Sequence, residues 1–97
     1  MDKEKIKNIL KTECGYRDYE ATVTATDLCN LHPQLQSALS AWVDSRMETD
    51  VSVGEFGAIS LMNKKGFSYP AALIALDWII EDPKTAIADL SSNIKRQ

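Results

Sequence analysis

Histidine occurs once in the 97 residues, cysteine twice, proline three times and glycine four times. The chain is therefore short of the side chains from which most catalytic and metal sites are assembled. His32 is the sole group whose ordinary pKa lies near neutrality. Cys14 and Cys29 are too few for a disulfide framework and are read as free thiols, as a reducing compartment would keep them. The glycines at 15, 54, 57 and 66 are scattered, and no Gly-x-x-x-x-Gly-Lys occurs, which excludes a phosphate-cradling loop of that type. The longest apolar stretch, Pro70 to Ile80, is interrupted by Asp77 and falls far short of the roughly 20 residues that cross a bilayer. Met1-Asp2-Lys3-Glu4-Lys5 opens an amphipathic segment with no continuous apolar core, so no membrane association and a cytoplasmic location are expected.

What is present is 44 % apolar residues and 26 % charged ones, the make-up of a folded domain. Eleven Lys and Arg stand against fourteen Asp and Glu, a net charge of −3. The imbalance is local, because residues 16–55 carry only Arg17 and Arg46 against seven carboxylates. A phosphate backbone is repelled by such a segment, so nucleic acid is not an expected partner.

The apolar periodicity predicts helices. Ile6, Ile9, Leu10 and Cys14 lie three or four apart, giving a first helix from Asp2 to Glu13 that ends at Gly15. In residues 16–26, Tyr19, Ala21, Val23 and Ala25 alternate with polar neighbours as in a half-buried strand, whose partner would be 50–53. Pro33 opens a helix with Leu35, Ala38, Leu39, Trp42, Val43 and Met47 on its inner face and an almost uncharged polar face, running to Glu48. Ser52 and Glu55 have capping-box spacing for a helix from Val53; alternatively an extended stretch continues and the helix waits until Gly57. Either version ends at Gly66. An almost wholly apolar helix, Ala71 to Ile80, follows Pro70, and Asp82-Pro83 opens a last one with Ala86, Ile87, Leu90 and Ile94 inward and a fraying tail. The expected fold is all-α, a single domain of four to five short helices with a minor two-stranded pairing between 20–25 and 50–53. Trp42, Phe56, Ile59, Met62, Leu73, Leu76 and Ile87 are its expected core.

Catalytic pairing of Cys29 with His32 would need an orienting group and an oxyanion site that nothing in the sequence signals, and the chain reads as non-enzymatic. Cys14, Cys29 and His32 offer three zinc-type ligands, but Cys14 sits on an apolar stripe, where a thiol packs as a small hydrophobe. Asp77 and Glu81, four apart, would hold a cation only with oxygens from elsewhere. No metal or cofactor is expected. Val53 to Lys64, the Gly66 turn and Tyr69 to Ile80 have helix-turn-helix lengths, yet the second helix lacks Arg, Lys, Asn and Gln to read bases; a nucleic-acid regulator with a degenerate motif is the alternative function.

Leu61-Met62, Gly66-Phe67, Ala72, Ala75-Leu76, Pro83, Ala86 and Leu90 resemble the pattern of the three-helix ubiquitin-associated fold. The resemblance implies a three-helix core over about 53–95, with Gly66, Phe67 and Leu90 where that family holds an apolar patch of ubiquitin. Lys65 stands at its loop methionine and Ser91 at a second apolar position. From Leu31-His32-Pro33-Gln34-Leu35 to Leu76-Asp77-Trp78-Ile79-Ile80 the chain also resembles small helical bacterial proteins, some associated with mobile genetic elements. The function expected is a protein-binding one, accessory or regulatory, with another protein or a second copy as partner. Interface cores are poor in charge and rich in aromatics, so the expected surface is Gln34, Ser37, Ser40 and Ala41, or the corner Gly66, Phe67 and Tyr69.

Overall fold

A computed structural model describes residues 2–95, with side chains as far as Ser91. The fold is all-α with one small antiparallel sheet. In chain order the elements are α1 (Lys3–Glu13), α2 (Asp18–Cys29), α3 (Pro33–Ser45), β1 (Ser52–Val53), β2 (Phe56–Gly57), α4 (Ala58–Lys65), α5 (Tyr69–Glu81) and α6 (Pro83–Lys95). They fall into two compact units, Met1–Thr49 and Asp50–Gln97. The side chain of Ile94, and residues 96 and 97 of the expected fraying tail, lie outside what is described, while Lys95 belongs to α6.

In the first unit, the Asp2 carboxylate accepts from the Glu4 and Lys5 amides and so starts α1, which buries Ile6, Ile9 and Leu10. Its end is closed by the Tyr16 amide donating to the Leu10 carbonyl at 3.0 Å, with Gly15 left-handed as expected. Residues 18–29, however, form a helix and not a strand, which corrects the expected pairing of 20–25 with 50–53. The segment alternates in sequence, but Ala21, Ala25 and Leu28 repeat at helical spacing and are 0 % exposed. Their small inner faces let α2 pack on α1.

His32 caps α3 in an extended conformation, its carbonyl accepting from Leu35 and Gln36, and Leu35, Ala38, Leu39, Trp42 and Val43 are buried as expected. The helix stops at Ser45, earlier than the expected Glu48, and Met47 is 58 % exposed. The cause is Arg46. It takes a left-handed conformation, φ 60°, which for a residue with a Cβ needs compensation. Its amide donates to the Trp42 carbonyl at 2.7 Å, and Nη1 donates to the Trp42 and Val43 carbonyls at 3.3 and 2.5 Å. The guanidinium lies 5.5 Å from the centroid of the Trp42 ring, and its outer edge is held by Glu13 at the end of α1. The hydrogen bonds from Arg46 hold the Glu13 carboxyl below its ordinary range.

In the second unit β1 and β2 form a hairpin with Ser52 opposite Gly57 and Val53 opposite Phe56. Its two-residue turn is Gly54-Glu55; Gly54 has φ 61°, the positive φ that glycine supplies at the first position of a type II′ turn. The later of the two expected starts for α4 is therefore the observed one. Gly57 is the N-cap and has no side chain to accept a hydrogen bond, so Asp50 does it from outside the helix, its Oδ1 accepting from the Ile59 amide at 3.3 Å. The hairpin lies against α4 and α5.

Gly66, left-handed at φ 73°, closes α4 through its amide to the Met62 carbonyl. Ser68 caps α5, which buries Tyr69, Pro70, Ala72, Leu73, Ala75, Leu76 and Ile79. Asp82 and Pro83 start α6 as expected, the Asp82 carbonyl accepting from Ala86. Of the expected core, Trp42, Leu73 and Leu76 are buried, Phe56, Ile59 and Met62 are half-buried, and Ile87 is 41 % exposed. Ala86 and Leu90, four apart, form the inner face of α6, which turns Ile87 away from it.

Candidate protein-binding surface

Helix α2 is built from residues that lower helix propensity, with Thr22, Val23, Thr24 and Thr26 all β-branched. The polar side chains are satisfied locally, and the propensity cost is met by packing of the inner face. Thr22 Oγ1 donates to the Asp18 carbonyl, Thr26 Oγ1 to the Thr22 carbonyl and Asn30 Nδ2 to the Thr26 carbonyl, each at 2.9 Å. At the start, the Arg17 amide donates to Glu20 Oε1 at 3.0 Å, one half of a capping box.

With Ala21, Ala25 and Leu28 turned inward, the helical period sends Tyr19 and Val23 outward, one turn apart. Tyr19 is 78 % exposed and Val23 42 %. Beside them lies a shallow open hollow of about 410 Å³ lined by Gly15, Tyr16, Tyr19, Glu20, Val23 and Thr24. Reading the segment as a strand put Tyr19, Ala21, Val23 and Ala25 on one buried face, which is why this surface was missed. The signal that could have found it is the i, i+4, i+7 spacing of Ala21, Ala25 and Leu28.

The charges within the helix itself are of one sign, with Arg17 standing just ahead of its first turn. Helix α2 contains Asp18, Glu20 and Asp27 and neither Lys nor Arg. Asp18 is satisfied: Lys11 and Lys7 reach its Oδ1 at 3.0 and 3.3 Å and hold its carboxyl below the ordinary range. Glu20 and Asp27 have no ion pair among the described residues, and both are exposed. Asp27 lies in the last turn, where the negative end of the helix dipole disfavours a carboxylate.

The surfaces expected from sequence are placed as follows. Gln34 and Ser37 are exposed on α3, while Ser40 and Ala41 are partly covered. Gly66 is exposed and Phe67 half-buried, but Tyr69 is only 1 % exposed, which removes it from any partner-facing corner. The reason is its position: as first residue of α5 it lies on the same side as Ala72, Leu73 and Leu76, all 0 % exposed. Leu90 is likewise buried, and Lys65 Nζ donates to its carbonyl at 2.5 Å. Helix α5, second in the candidate helix-turn-helix, turns seven residues inward and contains no Arg, Lys, Asn or Gln.

Cys14 and Cys29 are free and half-buried. Burial, reinforced by the neighbouring Glu13 charge, pushes the Cys14 thiol up and so disfavours its nucleophilic form. Among the described residues, Cys14, Cys29 and His32 do not bring their ligand atoms within 4.8 Å of one another. No helix there is long and apolar enough to cross a membrane. The chain matches no family model, no curated protein and no solved structure.

Proposed function

We propose that this chain is a non-enzymatic protein-interaction module whose contact surface centres on the outer face of α2. The observation that supports this reading is the pairing of an exposed aromatic and an exposed aliphatic side chain, Tyr19 and Val23, one turn apart beside an open hollow. Single exposed apolar residues are ordinary. An adjacent pair containing tyrosine is the composition of an interface anchor, because tyrosine contributes a large rigid area at little entropic cost. Gln34, Ser37, Ser40 and Ala41 on α3 include no large apolar side chain, and so they are not given the centre of the surface.

The test is capture by the full chain and by a Tyr19→Ser, Val23→Ser double variant from extracts of the native host. Both substitutions lie on the solvent side, so the helical spectrum and the unfolding midpoint are expected to persist while a specific partner is lost. Retention of the same proteins by both chains would place the function elsewhere.

A further inference from the structure

We infer that the occupant of the α2 face is a basic amphipathic segment of a different protein, with apolar side chains seated on Tyr19 and Val23 and Lys or Arg side chains reaching Glu20 and Asp27. The inference rests on the reading of this face as an interaction surface and adds the chemistry of the partner.

Three observations carry it. First, on a helical projection Glu20 and Asp27 fall to the same side of Val23, so the apolar pair has an acidic border. Second, those carboxylates have no ion pair among the described residues, whereas Asp18, on the far side of Tyr19, is already bound by two lysines. Third, Asp27 is placed against the helix dipole, and no basic residue occupies the last turn to offset it. A cation arriving there meets a carboxylate and the C-terminal carbonyl end of α2 together, which makes the arrangement unfavourable alone and complementary to a positive ligand.

The same charges argue against a second copy. Two-fold pairing of this face would gather Glu20 and Asp27 from both chains in one interface, with no Lys or Arg of α2 to separate them. The wider context agrees, since residues 16–55 hold two basic against seven acidic side chains. A nucleic acid is repelled by the same field.

Three designed helical peptides of equal length test the inference against the whole chain by fluorescence anisotropy. One carries Leu and Trp at helical spacing with flanking Lys, the second replaces Lys by Glu, and the third keeps Lys but replaces the apolar residues by Ser. Only the first is expected to bind. Glu20→Gln with Asp27→Asn keeps side-chain shape and the Glu20 capping oxygen, and should weaken that peptide about tenfold; Tyr19→Ala should weaken it at least as much. Asp44→Asn with Glu48→Gln, which removes equal charge from elsewhere, should leave it within about twofold.

Failure of the first peptide to bind, or equal weakening by the Asp44 and Glu48 control, overturns the inference. Loss on Tyr19→Ala with indifference to the Glu20 and Asp27 variant overturns the charge assignment alone and keeps the face. Binding that ignores Tyr19→Ala overturns the reading of the face itself.

Discussion

Arg46 grips Glu13 with two hydrogen bonds, Nε to Oε1 at 2.7 Å and Nη2 to Oε2 at 2.6 Å, across 33 residues of chain. The same guanidinium caps its own helix, so one side chain joins the ends of α1 and α3 within the first unit. Bidentate geometry of this kind is beyond lysine, whose ammonium is a single point of charge.

Arg46→Lys should therefore destabilise the chain although charge is retained. The left-handed backbone adds a second expectation, since glycine adopts φ 60° freely while alanine does not. Arg46→Gly should unfold at a higher denaturant concentration than Arg46→Ala. The reverse order in urea titrations would show that the left-handed position carries no strain.

Acid should weaken this link and the one made by Asp18. Both carboxyls are held below their ordinary values in the folded chain, Glu13 by hydrogen bonds from Arg46 and Asp18 by hydrogen bonds from Lys11 and Lys7. In the unfolded chain they titrate near pH 4. The unfolded state thus binds more protons in that interval, so the stabilisation is fully present above about pH 5 and is lost as pH falls through the folded values. Glu13→Gln should reduce the loss of stability between about pH 5 and 2, measured as urea midpoints. An unchanged slope would mean that the pair does not contribute.

Helices α5 and α6 give a contrast in core energetics. Leu76 is 0 % exposed, and Leu76→Ala should cost about 2 to 5 kcal/mol. Ile87 is 41 % exposed, and Ile87→Ala should change stability by under about 0.5 kcal/mol. Equal losses in denaturant titration would contradict the assigned face of α6.

For α2 the period itself can be measured. Ala25 is 0 % exposed and Val23 is 42 % exposed, although both sit on the same side of an alternating pattern. Ala25→Leu should cost about 1 to 3 kcal/mol through overpacking. Val23→Lys should stay near neutral. A strand would make the two substitutions similarly harmful.

Several of these elements could be read in advance. Helices α1, α3 and α6 were legible because Asp2, Pro33 and Asp82-Pro83 mark their starts and their apolar stripes repeat every three to four residues. Tyr19 to Ala25 satisfied two periods at once; the helix won because Ala21, Ala25 and Leu28 supply a packing face. Ser52 and Glu55 had the spacing of a capping box, but Gly54 between them bends the chain into a hairpin. The end of α3 could not be foreseen, because an arginine in a left-handed cap is sustained by a glutamate 33 residues away. The outer face of α2 was hidden by the same misreading that hid the helix, and Tyr69 was placed outside because its aromatic ring, without its neighbours, resembles an interface residue.

The loan of a cap from Asp50 to α4 has a consequence for the order of folding. An eight-residue helix is too short to persist by itself in water, and its first turn has two amides secured by residues that precede the hairpin: Ile59 by the Asp50 carboxylate and Ala58 by the Val51 carbonyl at 2.8 Å. Those acceptors reach the helix only once the chain has reversed at Gly54. Turn closure and helix initiation are thereby a single cooperative event, and in native-state hydrogen exchange the amides of Ala58 and Ile59 should open together with the hairpin and not with the later turns of their own helix.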